Sequence, residues 1–276
     1  MPSFFSDLTA NIQFALHEDV GSGDLTANLI PSDAQAHARV ISREAAIICG
    51  RPWFDGVFNA LDPNLIIKWH CEEGQQVAAD QLLCEISGNA RAILTGERSA
   101  LNFLQTLSAT ATATATYVKQ LQGTKTQLLD TRKTLPGLRL AQKYAVKCGG
   151  GTNHRFGLYD AILIKENHIM AAGSIEAAVT EAKKHGVLVE VETENLIELQ
   201  QALDAGADII MLDNFSIKDI EAAVQLTQGR AKLEVSGNVE CQHLPRLAQT
   251  GVDFISTGAI TKHIQAIDLS MRFSLM

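Results

Sequence analysis

Six short apolar segments recur through the second half of the chain, and each runs into polar residues. They are QLLDT near 129, AILI near 163, VLVEV near 189, DIIML near 210, KLEV near 234 and DFIS near 254, at intervals of about 34, 26, 21, 24 and 20 residues. Runs this short read as buried strands. The amphipathic stretches between them, such as SIEAAVTEAKKHG and NLIELQQALDAG, read as helices, the second ending on Gly206 as a helix C-terminus does. Repeated strand–helix units imply a parallel sheet, either open or closed.

The strand ends bear on that choice. They carry Asp130, Arg132 and Lys133; Lys165, Glu166 and Asn167; Glu190 and Glu192; Asp213 and Asn214; Ser236, Gly237 and Asn238; and Ser256, Thr257 and Gly258. An open doubly wound sheet gathers its functional groups at one switch point. A βα barrel draws them from many strand ends. Polar residues at all six ends favour the barrel, and no GxGxxG turn suggests a dinucleotide site. Six strands are fewer than eight, so the expectation is an α/β protein with an incomplete βα barrel of about six parallel strands.

The first hundred residues read differently, as short strands and turns. NLIIKWHCEEG and QLLCEISG are two apolar runs around a polar stretch with Gly74, which suggests a hairpin or meander. Residues 97–120 contain GERSALNFLQTL, with helical spacing of Leu101, Leu104 and Leu107, followed by SATATATAT. The alternation favours a strand, but Ala is the best helix former and no turn intervenes. One long helix is the expectation.

The formal net charge is −8. That balance argues against nucleic acid or an anionic membrane as partner. No apolar run approaches a membrane span. The start, MPSFFSDLTANIQ, does not read as a signal peptide. The five cysteines, Cys49, Cys71, Cys84, Cys148 and Cys241, include no CxxC pair. They suggest neither a zinc motif nor a disulfide framework, but buried thiols in a reducing cytoplasm.

The acidic total conceals a local exception. Between 130 and 165, seven cations stand against Asp130 and Asp160, a net +5. Arg139, Lys143 and Lys147, spaced by four, read as the solvated face of the helix after Pro136. Arg132, Lys133, His154, Arg155 and Lys165 lie near strand ends and read as an anion site. The three glycines before His154 let backbone approach a ligand. Glu192 and Asp213 occupy equivalent strand ends and suit Mg²⁺ or sugar hydroxyls, with structural salt bridges as the plain alternative. Glu190 alternates with Glu192, so both share one side of their strand. The small residues Ser236-Gly237-Asn238 and Thr257-Gly258 follow the last two strands, where barrels often bind phosphate. Together these describe a phosphorylated sugar donor and an acidic acceptor.

The same residues carry a family resemblance. DTRKTLPGLRLAQKYAVKCGGGTNHRFGLYDAILIKENHI at 130–169 resembles the signature of the quinolinate phosphoribosyltransferases. So do EDVGSGDLT, GERSALNFLQTLS, VEVETENL, MLDNFS, EVSGN and STGAIT, in this order along nearly the whole chain. The resemblance implies an N-terminal α/β sandwich at 1–106, joined by the tail 266–276, and an α/β barrel at 107–265. It also implies a homodimer in which Arg98 reaches the partner's site. The implied reaction is quinolinate plus phosphoribosyl pyrophosphate giving nicotinate mononucleotide, pyrophosphate and carbon dioxide, in de novo NAD synthesis. Arg98, Arg132, His154, Arg155 and Lys165 would then hold quinolinate. Lys133, Glu192, Asp213, Ser236, Gly237, Asn238, Thr257 and Gly258 would hold the donor. Lys133, Glu192 and Asp213 would be catalytic, with Mg²⁺ on Glu192 and Asp213 directly or through water. Two other readings stay open: transfer to another acidic base such as nicotinate, and a barrel aldolase with Lys165 as Schiff-base nucleophile.

Overall fold

The computed structural model describes residues 3–237 and 239–276. It contains two compact units, one of residues 3–115, 135–150 and 263–276, the other of 116–134 and 151–262. The dividing points read from the sequence were 106/107 and 265/266, so the structure differs by moving 107–115, 135–150 and 263–265 to the first unit.

The first unit is an antiparallel sheet with helices. Its strands are β1 (Gln35–Ser42), β2 (Ala46–Ile47), β3 (Ile66–Trp69), β4 (Gln76–Val77) and β5 (Leu82–Asn89). The C-terminal strand Leu269–Leu275 pairs with β1, giving the order C-terminal strand, β1, β5, β3. The two apolar runs around Gly74 are β3 and β5, paired antiparallel, while β4 between them pairs with β2. The helices are α1 (Leu8–Val20), α2 (Arg51–Leu61), the long α3 (Ala90–Lys119) up to Ala115, and α4 (Arg139–Cys148). Alternation puts Ala36, Ala38, Val40 and Ser42 of β1 inward. They share a core with Trp53, Phe54 and Phe58 of α2 and Leu101, Leu104 and Leu107 of α3.

The Ala/Thr run is the end of α3, a 30-residue helix. Its hydroxyls are satisfied locally or by neighbours. Thr114 Oγ1 donates to the Thr110 carbonyl at 2.7 Å. Thr112 Oγ1 accepts the Ile47 N–H at 2.8 Å, and Thr110 Oγ1 accepts from Gln142 Nε2 at 3.2 Å. Ala109, Thr110, Ala111 and Thr114 are all buried, so this stretch is covered around much of its circumference. Small side chains permit that cover: a Cβ on Gly149 would stand 2.4 Å from the Ala111 carbonyl oxygen and 2.6 Å from Thr114 Cβ. The expected solvated face of α4 fails at Lys143, which is fully buried. Ala141, Gln142, Ala145 and Val146 are buried too, leaving the helix only a narrow exposed edge.

The second unit holds the six repeated strands: β6 (Gln127–Leu129), β7 (Ile162–Ile164), β8 (Val189–Thr193), β9 (Ile209–Asp213), β10 (Lys232–Ser236) and β11 (Phe254–Ser256). All pair in parallel, in the order β6, β11, β10, β9, β8, β7. From β7 to β11 each strand lies beside its predecessor, and β6 then closes onto β11. That is the winding of a barrel rather than a doubly wound sheet. A further parallel bridge joins Leu129 to Thr152, at the start of the segment leading to β7. The helices are α5 (Glu166–Ala172), α6 (Ile175–Lys183), α7 (Leu196–Asp204), α8 (Ile217–Thr227), α9 (Leu244–Gln249) and α10 (Ala259–Lys262). Ser174, Asn195 and Ser216 cap three of them by accepting first-turn N–H groups. Among the described residues no helix is long and apolar enough to cross a membrane.

Candidate active site

The C-terminal strand ends of the second unit surround a cavity of about 240 Å³. Period two in β7 to β10 sets its walls. Leu163 and Lys165, Met211, and Glu234 and Ser236 come from alternate positions, with Glu192 of β8. The loop after β6 adds Thr131, Arg132 and Lys133, the loop before β7 adds His154 and Arg155, and β11 adds Ser256.

Specific contacts hold the segments that carry His154, Arg155 and Lys133. Asp130, fully buried beyond β6, accepts from Asn153 Nδ2 and from the His154 N–H, both at 2.8 Å. Asp160 accepts the N–H groups of Phe156 at 2.8 Å and Gly157 at 2.9 Å. These two carboxylates fix the loop that presents His154 and Arg155. Arg155 also donates to the Ala161 carbonyl at 3.4 Å. Burial, then the neighbouring Arg132, lowers the Arg155 guanidinium below its ordinary range. Two guanidiniums that oppose one another in a confined space are relieved by an anion. Thr261 Oγ1 donates to the Lys133 carbonyl at 2.8 Å, and Gly258 lies against the Lys133 side chain. A Cβ at Gly258 would stand 2.7 Å from Lys133 Cδ.

The opposite side is acidic. Lys165 Nζ is paired with the Glu192 carboxylate. Asp213, at the end of β9, is raised above its ordinary value by burial first and then by Glu192, with Lys165 and Lys133 opposing. Its Oδ2 accepts from Asn214 Nδ2 at 2.9 Å. Gly237 adopts φ +94°, and a Cβ there would stand 2.3 Å from Asn214 Oδ1, so only glycine fits this turn.

Sequence reasoning noted Glu190 but missed its partner. His154 Nε2 lies 2.8 Å from Glu190 Oε2 and 3.5 Å from Glu234 Oε2. Both acids are buried, and Glu234 is pushed up to about 8, by burial first and then by Glu190. The other ring nitrogen, Nδ1, accepts the Arg155 N–H at 2.8 Å. With Nδ1 accepting, the ring proton belongs on Nε2, donated to Glu190. His154 therefore braces the Arg155 main chain from the cavity floor. The signal for Glu234 was available: it precedes Ser236 by two, as Glu190 precedes Glu192.

The cavity thus brings together Arg132, Lys133, His154, Arg155, Lys165, Glu192 and Ser236. Asp213 adjoins it electrostatically, and Gly258 adjoins it through Lys133. Gly237 lines a neighbouring hollow of about 440 Å³ with Ser236 and Asn214. Thr257 is buried, its hydroxyl accepting the Ala259 N–H at 3.2 Å, so its side chain faces the start of α10. Asn238 lies outside the described residues. Arg98 belongs to the other unit, where its side chain is 59% exposed and stands 3.8 Å from Glu97. A larger hollow, about 790 Å³, is lined by Glu166, Glu176, Glu192, Glu194, Glu198 and Asp204, a charge unsuited to anionic substrates.

Comparison with known proteins shows the family. Residues 24–108 match the family model for the N-terminal domain of quinolinate phosphoribosyl transferase, and 110–272 the model for its C-terminal domain. A probable nicotinate-nucleotide pyrophosphorylase (carboxylating) from Bacillus subtilis is 41% identical over 261 residues, covering 94% of this chain and 90% of that protein. The chloroplastic nicotinate-nucleotide pyrophosphorylase (carboxylating) of Arabidopsis thaliana is 39% identical, covering 96% and 82%. Among solved structures, the nicotinate-nucleotide pyrophosphorylase of Francisella tularensis is 53% identical with a TM-score of 0.95, covering 99% and 98%. Matched over both its domains, the chain belongs to the quinolinate phosphoribosyltransferase family.

Proposed function

We infer that this protein transfers the phosphoribosyl group of phosphoribosyl pyrophosphate to quinolinate and releases carbon dioxide. The products are nicotinate mononucleotide and pyrophosphate, a step of de novo NAD synthesis. One observation carries the reading: Arg132, Lys133, Arg155 and Lys165 converge on a single cavity, which Glu192, paired with Lys165, also lines. A pyridine dicarboxylate and a polyphosphate need cations in that number, and a ribose needs carboxylates facing them.

Arg132, Arg155 and Lys165 take the two quinolinate carboxylates, the arginines as planar forks. His154 holds the Arg155 loop in register. Lys133 takes the donor's phosphates. Ser236, Gly237 and Gly258 cradle the 5′-phosphate. Glu192 and Asp213 hold the ribose hydroxyls and favour positive charge at the anomeric carbon. Asp213, raised by burial and then by Glu192, would together with Glu192 suit a divalent cation. Bound there, Mg²⁺ would neutralise the departing pyrophosphate. The ring nitrogen attacks the anomeric carbon as pyrophosphate leaves. The resulting pyridinium accepts the electron pair of the adjacent carbon–carboxylate bond, carbon dioxide departs, and a proton takes its place.

The reading extends to a homodimer in which Arg98 reaches the partner's cavity; its exposed guanidinium supports this. The five free thiols support a reducing, cytoplasmic setting. The half-exposed, ion-paired Lys165 does not resemble the apolar pocket of a Schiff-base lysine. Lys133→Ala and Glu192→Ala are expected to abolish nicotinate mononucleotide formation while circular dichroism stays native. Near-normal turnover in either variant overturns the assigned roles.

A further inference from the structure

Outside the reaction cavity, Cys49, Glu73 and Cys148 converge in the first unit. Two sulfurs and a carboxylate oxygen lie within 4.8 Å of one another. They come from three separate segments: the residues before α2, the turn between β3 and β4, and the last residue of α4.

Each segment is held firmly. Ser108 of α3 grips Cys49 from both sides, its Oγ accepting the Cys49 N–H at 2.9 Å and donating to the Cys49 carbonyl at 3.1 Å. The Glu73 carboxylate accepts the N–H groups of Gly50 at 2.7 Å and Arg51 at 3.2 Å, which keeps a further lone pair on each oxygen. Gly74 turns at φ +79°, and a Cβ there would stand 3.5 Å from the Cys148 carbonyl oxygen. Gly149, directly after Cys148, presses against the Ala111 carbonyl. The two thiols also differ. Burial pushes the fully buried Cys49 up, while the hydrogen bond from Cys49 pulls Cys148 down, helped by Tyr144.

We propose that Cys49, Cys148 and Glu73 form a site for a soft divalent metal ion such as Zn²⁺ or Cd²⁺. Two sulfurs and one oxygen are a donor set for such ions, with water as the fourth ligand. Tetrahedral coordination, with metal–sulfur near 2.3 Å and metal–oxygen near 2.1 Å, places the ligand atoms about 3.6–3.8 Å apart. The cluster reaches that by contracting roughly 1 Å, a matter of side-chain rotation. The ion takes the two sulfurs as thiolates, and their protons leave to solvent, so binding weakens as pH falls. The Glu73 hydrogen bonds to Gly50 and Arg51 orient that ligand as outer-shell contacts do. The sequence shows no zinc motif because the two cysteines meet only through the fold.

The test uses the full-length protein, reduced and stripped with a chelator. Cd²⁺ titration is followed by the ultraviolet thiolate-to-metal band, and Zn²⁺ titration by competition with a chromogenic chelator. One ion per chain is expected. Affinity should fall at least about tenfold to a hundredfold in Cys49→Ser and in Cys148→Ser. It should hold in Cys241→Ser, and bound metal should raise the wild-type thermal midpoint. Absence of a stoichiometric thiolate band in the wild type overturns the proposal, whether or not the variants fold. Unchanged binding in folded Cys49→Ser or Cys148→Ser, or loss in Cys241→Ser, overturns it as well.

Discussion

Gly258→Ala tests how the donor lysine is placed. The added methyl would stand 2.7 Å from Lys133 Cδ and 3.2 Å from both Lys133 Cβ and Thr131 Oγ1. Carbon atoms in ordinary contact stay beyond about 3.5 Å, so roughly 0.8 Å must be given up at Cδ. The Lys133 main chain cannot yield freely, because its carbonyl accepts from Thr261 Oγ1 at 2.8 Å. The side chain moves instead, carrying its ammonium away from the cavity. A displacement near 1 Å costs up to about 100-fold in rate. The expected loss in kcat/KM is therefore about 10- to 100-fold, or roughly 1.4–2.7 kcal/mol of transition-state stabilisation. Steady-state formation of nicotinate mononucleotide at varied phosphoribosyl pyrophosphate gives the value. The thermal midpoint should change little, since a flexible arm absorbs the strain. A kcat/KM within a factor of about two of wild type, in a folded variant, would refute the placement of Lys133.

Three further outcomes are expected. Gly149→Ala meets the Ala111 carbonyl at 2.4 Å and the Thr114 Cβ at 2.6 Å, neither of which can give, so denaturant unfolding should show a loss of about 3 kcal/mol. Glu234 is pushed up to about 8 from 4.5, so as pH rises through that window the unfolded chain sheds its proton first and wild-type stability falls. Glu234→Gln should remove that fall, its stability relative to wild type rising by a few kcal/mol between pH 5 and pH 8; a constant difference across the window would contradict it. Mixing the inactive Arg98→Ala and Lys133→Ala proteins should restore about a quarter of wild-type activity, because half the random dimers carry one intact site. No recovery after subunit exchange would argue against a shared site.

The barrel was legible because two periodicities coincide in it. Each strand is a short apolar run, and each ends in polar residues that the winding β7 to β11 and back to β6 gathers at one end. Arg132, Lys133, Lys165 and Glu192 could be named from that alone, and His154 and Arg155 from the local excess of cations after three glycines. Glu234 was missed although its spacing to Ser236 repeats that of Glu190 to Glu192, because a buried acid inside a strand gains meaning only from its partner His154. Lys143 misled for the opposite reason: spacing by four marks a shared helix face, but not whether that face meets water. The Ala/Thr run carried the wrong period because α3 is buried on more than one side there, so no single stripe had to be apolar. The cluster of Cys49, Glu73 and Cys148 depends on contacts between distant segments, which local pattern cannot report.

The most direct measurement follows quinolinate labelled with ¹³C in the carboxylate beside the ring nitrogen, together with phosphoribosyl pyrophosphate and Mg²⁺. Labelled carbon dioxide and unlabelled nicotinate mononucleotide should appear in equal amounts, with no turnover when nicotinate replaces quinolinate. Turnover of nicotinate alone, or mononucleotide formed with the label retained, would contradict the proposed reaction.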